Sequence, residues 1–372
     1  SALDNRVFYR EARTLAQAGY EVILIAVNER DENRDGIHIR AVPRVPRSRR
    51  PLLWRGILGM AVETGADVFH IHDPELLLLT PWLRRLTAKP TIYDIHEANA
   101  DFIAVKDYLP QAIRRPLASL FKRLEPRLAQ RENGLIFADD AIARDFAGFS
   151  GPKATLFNYP GQELVDRGAR ARPLAGREPV VLYLGGMERN RGSRLMIEAF
   201  ARVISQMPQA RLCVVGHFAP ANLEDELRAD IARRGIGHAV QLVGPVPFEQ
   251  IGGYLSDSMV GWVTWQPFAK NQKNIPTKLF EYMAFGLPVV SSDLASVRPY
   301  VQQRQNGLLA NATDPADHAT ALLSMLRNPE AAAAMGRAGR ARVEAHWKWA
   351  HIAPRMLKFY EAVLQGSHMT AD

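Results

Sequence analysis

Three stretches of the chain carry residue types that could do chemistry. The first is Val180-Val-Leu-Tyr-Leu-Gly-Gly-Met-Glu-Arg-Asn-Arg-Gly-Ser-Arg194, followed by a helical pattern from Leu195. Its order reads strand, glycine-rich turn, helix. Gly185 and Gly186 let the backbone approach a ligand closely, and the helix N-terminus offers unpaired N–H groups to a phosphate. Arg189, Arg191 and Arg194 add cationic donors. The stretch is neither GxGxxG nor a GxxxxGK loop, so it lacks the usual dinucleotide and P-loop signatures, and a plain βα turn with solvated arginines is the alternative. Val214-Val-Gly-His-Phe218 and Val243-Gly-Pro-Val-Pro-Phe-Glu249 repeat the pattern of glycine after a strand. Each alone is ordinary turn chemistry. Three such turns in one domain would line a single cleft edge.

The second stretch is Asn274-Ile-Pro-Thr-Lys-Leu-Phe-Glu-Tyr-Met-Ala-Phe-Gly-Leu-Pro-Val-Val-Ser-Ser-Asp293. Pro276 suits a helix start and leaves first-turn N–H groups free. Lys278 and Glu281 are three apart and share one helical face. Glu281 near a helix N-terminus could be a simple charge–dipole pairing. Beside the glycine turns, a carboxylate gripping ribose hydroxyls is the better reading. The third stretch is the pair of clusters His70-Ile-His-Asp-Pro-Glu75 and Tyr93-Asp-Ile-His-Glu97. His, Asp and Glu together are metal-ligand types, but strands place successive side chains on alternating faces, so no metal centre is expected there.

The Asn274–Asp293 stretch resembles the C-terminal signature of retaining glycosyltransferases with the GT-B fold, family 4-like. The resemblance extends over most of the chain, including Asp4-Asn-Arg6, Gly19-Tyr-Glu21 and both histidine clusters. It implies that Arg191, before Gly192, binds a donor diphosphate, that Lys278 lies near the phosphates, and that Glu281 grips the nucleotide ribose. It also implies that the Gly244–Phe248 loop, with Val246, faces the nucleobase. The expected donor-binding set is Gly185, Gly186, Arg191, Gly216, His217, Val246, Thr277, Lys278 and Glu281. The expected catalytic set is His96, which positions the sugar, with Arg191 and Lys278 stabilising the leaving diphosphate. Enzymes of this kind lack a protein nucleophile, so positioning and charge stabilisation dominate. No metal and no cofactor are expected beyond a UDP-, GDP- or dTDP-sugar donor. One departure stands out: the first of the family's paired glutamates falls at Lys273. Lys270 and Lys273 would suit an acidic donor sugar such as a uronic acid; solvated lysines are the alternative.

The elements that must hold these residues alternate along the chain. Strands are expected at Glu21–Val27, Ile37–Val42, Val68–His72, Thr91–Ile95, Leu135–Ala138 and Thr155–Asn158, then at Val180–Leu184, Arg211–Val215, Val240–Val243, Val260–Trp265, Pro288–Ser291 and Leu308–Ala310. Helical patterns lie between them, which implies parallel sheets covered on both faces. The fold class is therefore α/β, with two doubly wound, Rossmann-like domains in the GT-B arrangement and ligands at the carboxyl ends of the strands. Expected boundaries are 1–165 for an acceptor-side domain, 166–345 for a nucleotide-sugar domain, and 346–365 for a helix returning to the first domain. Gly161–Pro179, polar and without clear periodicity, is the expected linker. Gly366-Ser-His-Met369 looks like an expression-vector remnant. The expectation is that 366–372 belongs before Ser1, with an unseen first strand or loop between them.

The 372 residues suit about two domains. Hydrophobic residues make up 47% and charged residues 23%, which excludes a disordered chain. A lone cysteine, Cys213, excludes an internal disulfide framework and reads as a core thiol. Lys plus Arg number 47 against 39 acids, a net charge of +8 that is unevenly placed. Six arginines and no acid lie between Arg40 and Arg55, interleaved with Leu52, Leu53 and Trp54. Between Arg114 and Arg131 six basic residues face only Glu125, with Leu117, Leu120, Phe121, Leu124 and Leu128 at helical spacing. Basic amphipathic segments suit an anionic membrane surface; no nucleic-acid motif accompanies them. The sequence therefore reads as a cytoplasmic glycosyltransferase, peripheral to the inner face of the plasma membrane. Its acceptor would be a glycan or a polyprenyl-diphosphate-linked sugar in surface polysaccharide or glycoconjugate synthesis. A sugar-nucleotide epimerase of the same fold and a non-catalytic two-lobed sugar-binding protein are the alternatives.

Overall fold

Runs rich in Val, Ile and Leu form strands because branched side chains pack well on a pleated surface. Fifteen are present among the described residues of the computed structural model, 2–106 and 109–368. The chain divides into two compact units. One draws on residues up to Ala104, Arg115–Asn158 and the chain from Trp349 onward; the other contains Val105–Arg114 and Tyr159–Lys348.

The first unit holds two sheets. In one, β1 (Val22–Val27) runs parallel to β3 (Ile37–Val42), and β2 (Glu32–Arg34) pairs antiparallel with β3. The other is parallel throughout: β4 (Phe69–Ile71), β5 (Thr91–Ile95), β6 (Gly134–Phe137) and β7 (Lys153–Thr155), in that spatial order. Tyr93, Ile95, Leu135 and Phe137 anchor its core. The final helix, Ala353–His368, lies over β6: a Cβ at Gly134 would sit 2.6 Å from Phe359 Cζ, so a larger residue would push that ring aside. Tyr360 Oη lies 2.7 Å from His70 Nδ1. Of the 366–372 segment, residues 366–368 continue this helix and 369–372 lie outside the described residues.

The second unit is built on one six-stranded parallel sheet: β8 (Val180–Leu184), β10 (Arg211–Val215), β12 (Val240–Gly244), β13 (Val260–Val263), β14 (Val289–Ser292) and β15 (Gly307–Ala310). Its spatial order is β12-β10-β8-β13-β14-β15. Strand order thus reverses between β8 and β13. That is the topological switch point of a doubly wound sheet, outside whose carboxyl ends ligands bind. A two-residue ribbon, β9 (Met187–Glu188) with β11 (Phe218–Ala219), extends from the same ends. The helix Ser193–Gln206 covers one face through Leu195, Met196, Ala199, Phe200 and Val203. Cys213 is buried, and burial pushes its thiol up to about 11, as befits an inert core residue.

Two local readings change. The polar segment expected as a linker contains the helix Gln162–Ala169, which buries Leu164, Val165 and Gly168. Only these three positions face the core, too few to stand out as a period. Gly168 is packed so closely that a Cβ would meet Ala284 O at 2.1 Å. The strand expected at Thr155–Asn158 runs instead over Lys153–Thr155, because polar Lys153 pairs at the sheet edge with Leu135.

Candidate active site

The glycine turns of the second unit are tied to one another by backbone. Gly185 N–H donates to Val215 O (2.7 Å), Met187 N–H to His217 O (2.8 Å) and Gly216 N–H to Gly244 O (2.8 Å). Glycine is required at Gly216, and at Gly186 a side chain would have to displace the His217 ring. Gly216 has φ +149°, and a Cβ there would lie 2.2 Å from Gly185 O; at Gly186 it would lie 2.5 Å from the His217 ring. Gly185, Gly186, Gly216 and His217 therefore form one continuous surface, and Val246, half-buried, follows Gly244 in the third turn.

Cations are aimed at that surface. The Lys278–Ala284 helix carries Lys278 in its first turn, after Thr277. Lys278 Nζ is buried without a hydrogen-bond partner among the described residues, 3.5 Å from the centre of the Tyr183 ring and within 3.6 Å of where a Gly185 Cβ would stand. Burial and the nearby Arg191 push its ammonium well below the usual lysine range, against the opposing charges of Glu281 and Glu188. A buried ammonium without an anion is a costly arrangement. It becomes favourable when an anion arrives. Arg191 donates from Nη1 to Gly186 O (2.9 Å), and its Nη2 lies 3.1 Å from Glu188 Oε1. Burial opposes ionisation of Glu188, but Arg191 and Lys270 outweigh it and hold the carboxyl below its ordinary value. Gly192, at φ +81°, ends this turn because a Cβ would strike Thr264 O at 2.0 Å. Thr264 Oγ1 in turn donates to Arg191 O (2.6 Å). Ser193 Oγ, at the first position of its helix, is also buried without a partner among the described residues. Glu281 is buried one turn after Lys278.

The site thus brings Gly185, Gly186, Arg191, Gly216, His217 and Lys278 together, with Glu281 and Thr277 on the helix that carries Lys278. Sequence reasoning missed Tyr183, Glu188, Ser193 and Thr264. Glu188 had a signal, its i,i+3 spacing from Arg191; Tyr183 sits in an apolar strand with none. Lys270 is buried, and Lys273 is half-buried on the same short helix.

His96 belongs to the first unit and follows β5. Its Nε2 lies 2.9 Å from Asp94 Oδ2 and 3.1 Å from His72 Nδ1. Asp94 is fully buried and gripped by Arg6, whose Nη2 donates to Oδ1 (3.0 Å) and whose Nε donates to Oδ2 (3.2 Å). Burial disfavours the Asp94 carboxylate, yet Arg6 and His96 hold it well below the usual range. Burial pushes Glu11, 2.8 Å from Arg6 Nε, well above that range. Contrary to the expectation that alternating faces separate these groups, one ligand atom each from Glu11, His70, His72 and Asp94 lie within 4.8 Å of one another. The reason is that His70, in β4, and His72, just past its end, are two apart in the chain and bring their ring centres within 4.2 Å of each other. Arg6 lies against both carboxyl groups of this cluster and offsets the charge of Asp94, while burial favours the neutral form of Glu11.

A parallel doubly wound sheet with a glycine-lined, cation-rich switch point defines a class of proteins that bind phosphorylated nucleotides. Two family models match the chain: "Glycosyltransferase Family 4" over residues 5–156 and "Glycosyl transferases group 1" over 178–328. The chain belongs to the family 4-like glycosyltransferases of the GT-B fold. It is 25% identical over 306 residues to a phosphatidyl-myo-inositol mannosyltransferase of Mycobacterium leprae, covering 81% of this chain and 75% of that protein. It is 28% identical over 203 residues to a D-inositol 3-phosphate glycosyltransferase of Segniliparus rotundus, covering 53% of this chain and 44% of that one. The sucrose-phosphate synthase of Thermosynechococcus elongatus superposes with a TM-score of 0.77 at 21% identity, over 95% of this chain and 92% of that one. HepE of Anabaena, in complex with UDP-glucose, superposes with a TM-score of 0.69 at 15% identity, over 91% and 99%. The protein is a glycosyltransferase.

Proposed function

We propose that the chain transfers a hexosyl group from a UDP-, GDP- or dTDP-sugar to a glycan or polyprenyl-diphosphate-linked acceptor, with retention of anomeric configuration. The observation that carries this reading is the buried Lys278 ammonium, without a hydrogen-bond partner among the described residues, beside the Gly185–Gly186 turn and Arg191. In the proposed step the bond between the sugar C1 and the β-phosphate oxygen breaks. The acceptor oxygen bonds to C1 on the same face, and its proton passes to the leaving diphosphate. Negative charge grows on that diphosphate as the bond breaks, so the cations accelerate transfer to the extent that they bind it more tightly in the transition state. Arg191 and Lys278 are the proposed stabilising groups, and Glu281 the proposed ribose ligand. His96, held by Asp94, is the imidazole proposed to position the sugar. No metal takes part in this scheme. The inositol-linked names of the relatives support a small polyol or lipid-linked acceptor. The enzyme would work at the cytoplasmic face of the membrane; among the described residues no helix is long and apolar enough to cross one.

The test is turnover of UDP-, GDP- and dTDP-sugars. One donor should be consumed, and Arg191→Ala and Glu281→Ala should each abolish its use. Interconversion of the donor sugar without any acceptor would indicate an epimerase instead. Tight binding of free sugar without nucleotide would sink the reading altogether.

A further inference from the structure

Glu188 is an anion built into a site for anions. It lies on the ribbon that extends from the carboxyl ends of the second unit's strands, next to the buried Met187, and its side chain keeps 18% exposure. Burial opposes its charge, yet Arg191, Lys270 and a hydrogen bond from Asn190 keep it ionised. A carboxylate in that place repels the diphosphate that the same cations would hold. Support for Arg191 does not account for it, because Arg191 is fixed in other ways. Its Nη1 donates to Gly186 O (2.9 Å), its guanidinium stands 5.5 Å from the centre of the Trp265 ring, and its backbone oxygen accepts from Thr264 Oγ1 (2.6 Å).

The carboxylate is also held still. Its Oε1 lies 3.1 Å from Arg191 Nη2, and its Oε2 accepts from Asn190 Nδ2 (3.0 Å). Asn190 is itself buried, and its backbone oxygen accepts from the Gln266 N–H and from Asn271 Nδ2, both at 3.1 Å. A carboxylate oxygen has two lone-pair directions. Among the described residues each Glu188 oxygen has one such partner, which leaves one direction on each for a further donor. Two fixed acceptors side by side are the complement of two neighbouring hydroxyls.

The order of charges carries the same message. Glu188 is paired with Arg191, Arg191 acts on Lys278, and Glu281 follows Lys278 by one turn. Carboxylate, two cations, carboxylate is the complement of a nucleoside diphosphate sugar, which has a hydroxylated ring on each side of its diphosphate. With the ribose on Glu281, the transferred ring falls to Glu188. We propose that Glu188 is a specificity-determining residue of the donor site, its carboxylate accepting from two neighbouring hydroxyls of the transferred sugar. This assignment rests on the donor reading above and adds the residue that tells one donor sugar from another. A sugar with one of those hydroxyls inverted or missing leaves a carboxylate oxygen without its donor, and sites that hydrogen-bond a hydroxyl reject analogues lacking it more strongly than apolar pockets do.

Calorimetric titration of wild type and Glu188→Gln with UDP, GDP and dTDP, and with UDP-glucose, UDP-galactose, GDP-mannose and dTDP-glucose, separates the sugar from the nucleotide. The diphosphate that wild type prefers should bind Glu188→Gln at least as tightly, because a negative charge has left the site; that binding also shows the variant to be folded. The sugar conjugate, measured against its own diphosphate, should bind the variant about tenfold or more weakly than it binds wild type. At least one of the 2-, 3- and 4-deoxy forms of that donor should bind wild type about tenfold more weakly and Glu188→Gln with little further loss. Equal weakening of the diphosphate and its sugar conjugate would make Glu188 a support for Arg191 or a ribose ligand. An unchanged sugar increment, or deoxy donors that weaken both proteins alike, would place it away from the sugar. Each of these overturns the proposal and leaves the donor reading intact. A wild type that binds none of the three diphosphates refutes the donor reading itself, and this assignment with it.

Discussion

Replacing Lys278 by Met should move stability and affinity in opposite directions. The ammonium is buried without a hydrogen-bond partner among the described residues, and its charge is opposed by burial and by Arg191. Removing an unsatisfied buried polar group while keeping its length should stabilise the unliganded protein by about 1–3 kcal/mol, a rise of several degrees in melting temperature. The same change deletes a charged donor to the diphosphate, worth about 1.5–3 kcal/mol, so nucleoside diphosphate should bind about 10- to 150-fold more weakly. The pH dependence has a definite sign. A lysine whose folded-state pKa is lowered binds its proton less well folded than unfolded. Wild-type stability should therefore rise with pH between that lowered value and the ordinary 10.5, and the Met variant should lack the rise. Diphosphate binding should also take up a proton at Lys278, so the wild-type binding heat should depend on the buffer's ionisation enthalpy. Calorimetric titration and thermal melts of both proteins read all of this. A Lys278→Met protein that is less stable yet binds nucleotide normally would refute the reasoning and leave the lysine as a mere partner of Tyr183.

Three further outcomes follow from the geometry. Gly192→Ala forces a Cβ to within 2.0 Å of Thr264 O at a positive φ, and should cost about 1–3 kcal/mol or more in a urea melt, together with donor affinity; Gly253→Ala, in open space, should change little. Arg6→Met strands the buried Asp94 carboxylate and should lower stability by about 3–5 kcal/mol, whereas Arg6→Met/Asp94→Asn together should recover part of it, as a double-mutant cycle would show. His318 is buried against Trp262 and lowered to about 4, chiefly by burial, so its neutral form stabilises the fold above 6.5. Roughly 3 kcal/mol of that stability should fade as pH falls from 6.5 toward 4. His318→Gln should flatten this part of the curve.

Much of this protein was legible in its sequence where one element carried the whole signal. Ile37–Val42, Thr91–Ile95, Val180–Leu184 and Arg211–Val215 are strands over those same residues, because short runs rich in branched and aromatic apolar residues between turn residues favour a strand. The glycine turns were legible for the same reason: each follows its strand directly. What could not be read was anything made by residues far apart in the chain. Arg6 and Asp94 are 88 positions apart, and neither Arg6 nor Glu11 shows by type or spacing that it will be buried. Tyr183 looks like any strand aromatic until the fold lays Lys278 over its ring. The inward turn of Glu125 likewise depends on Tyr93 and Asn99, which its place in the sequence does not announce.

The most direct test is a crystal structure of the protein with its preferred nucleoside diphosphate. The diphosphate oxygens should lie within hydrogen-bond distance of Lys278 Nζ, the Arg191 guanidinium and the Gly186 N–H, with the ribose hydroxyls on Glu281. A nucleotide bound elsewhere, with Lys278 still resting only on Tyr183, would contradict the account.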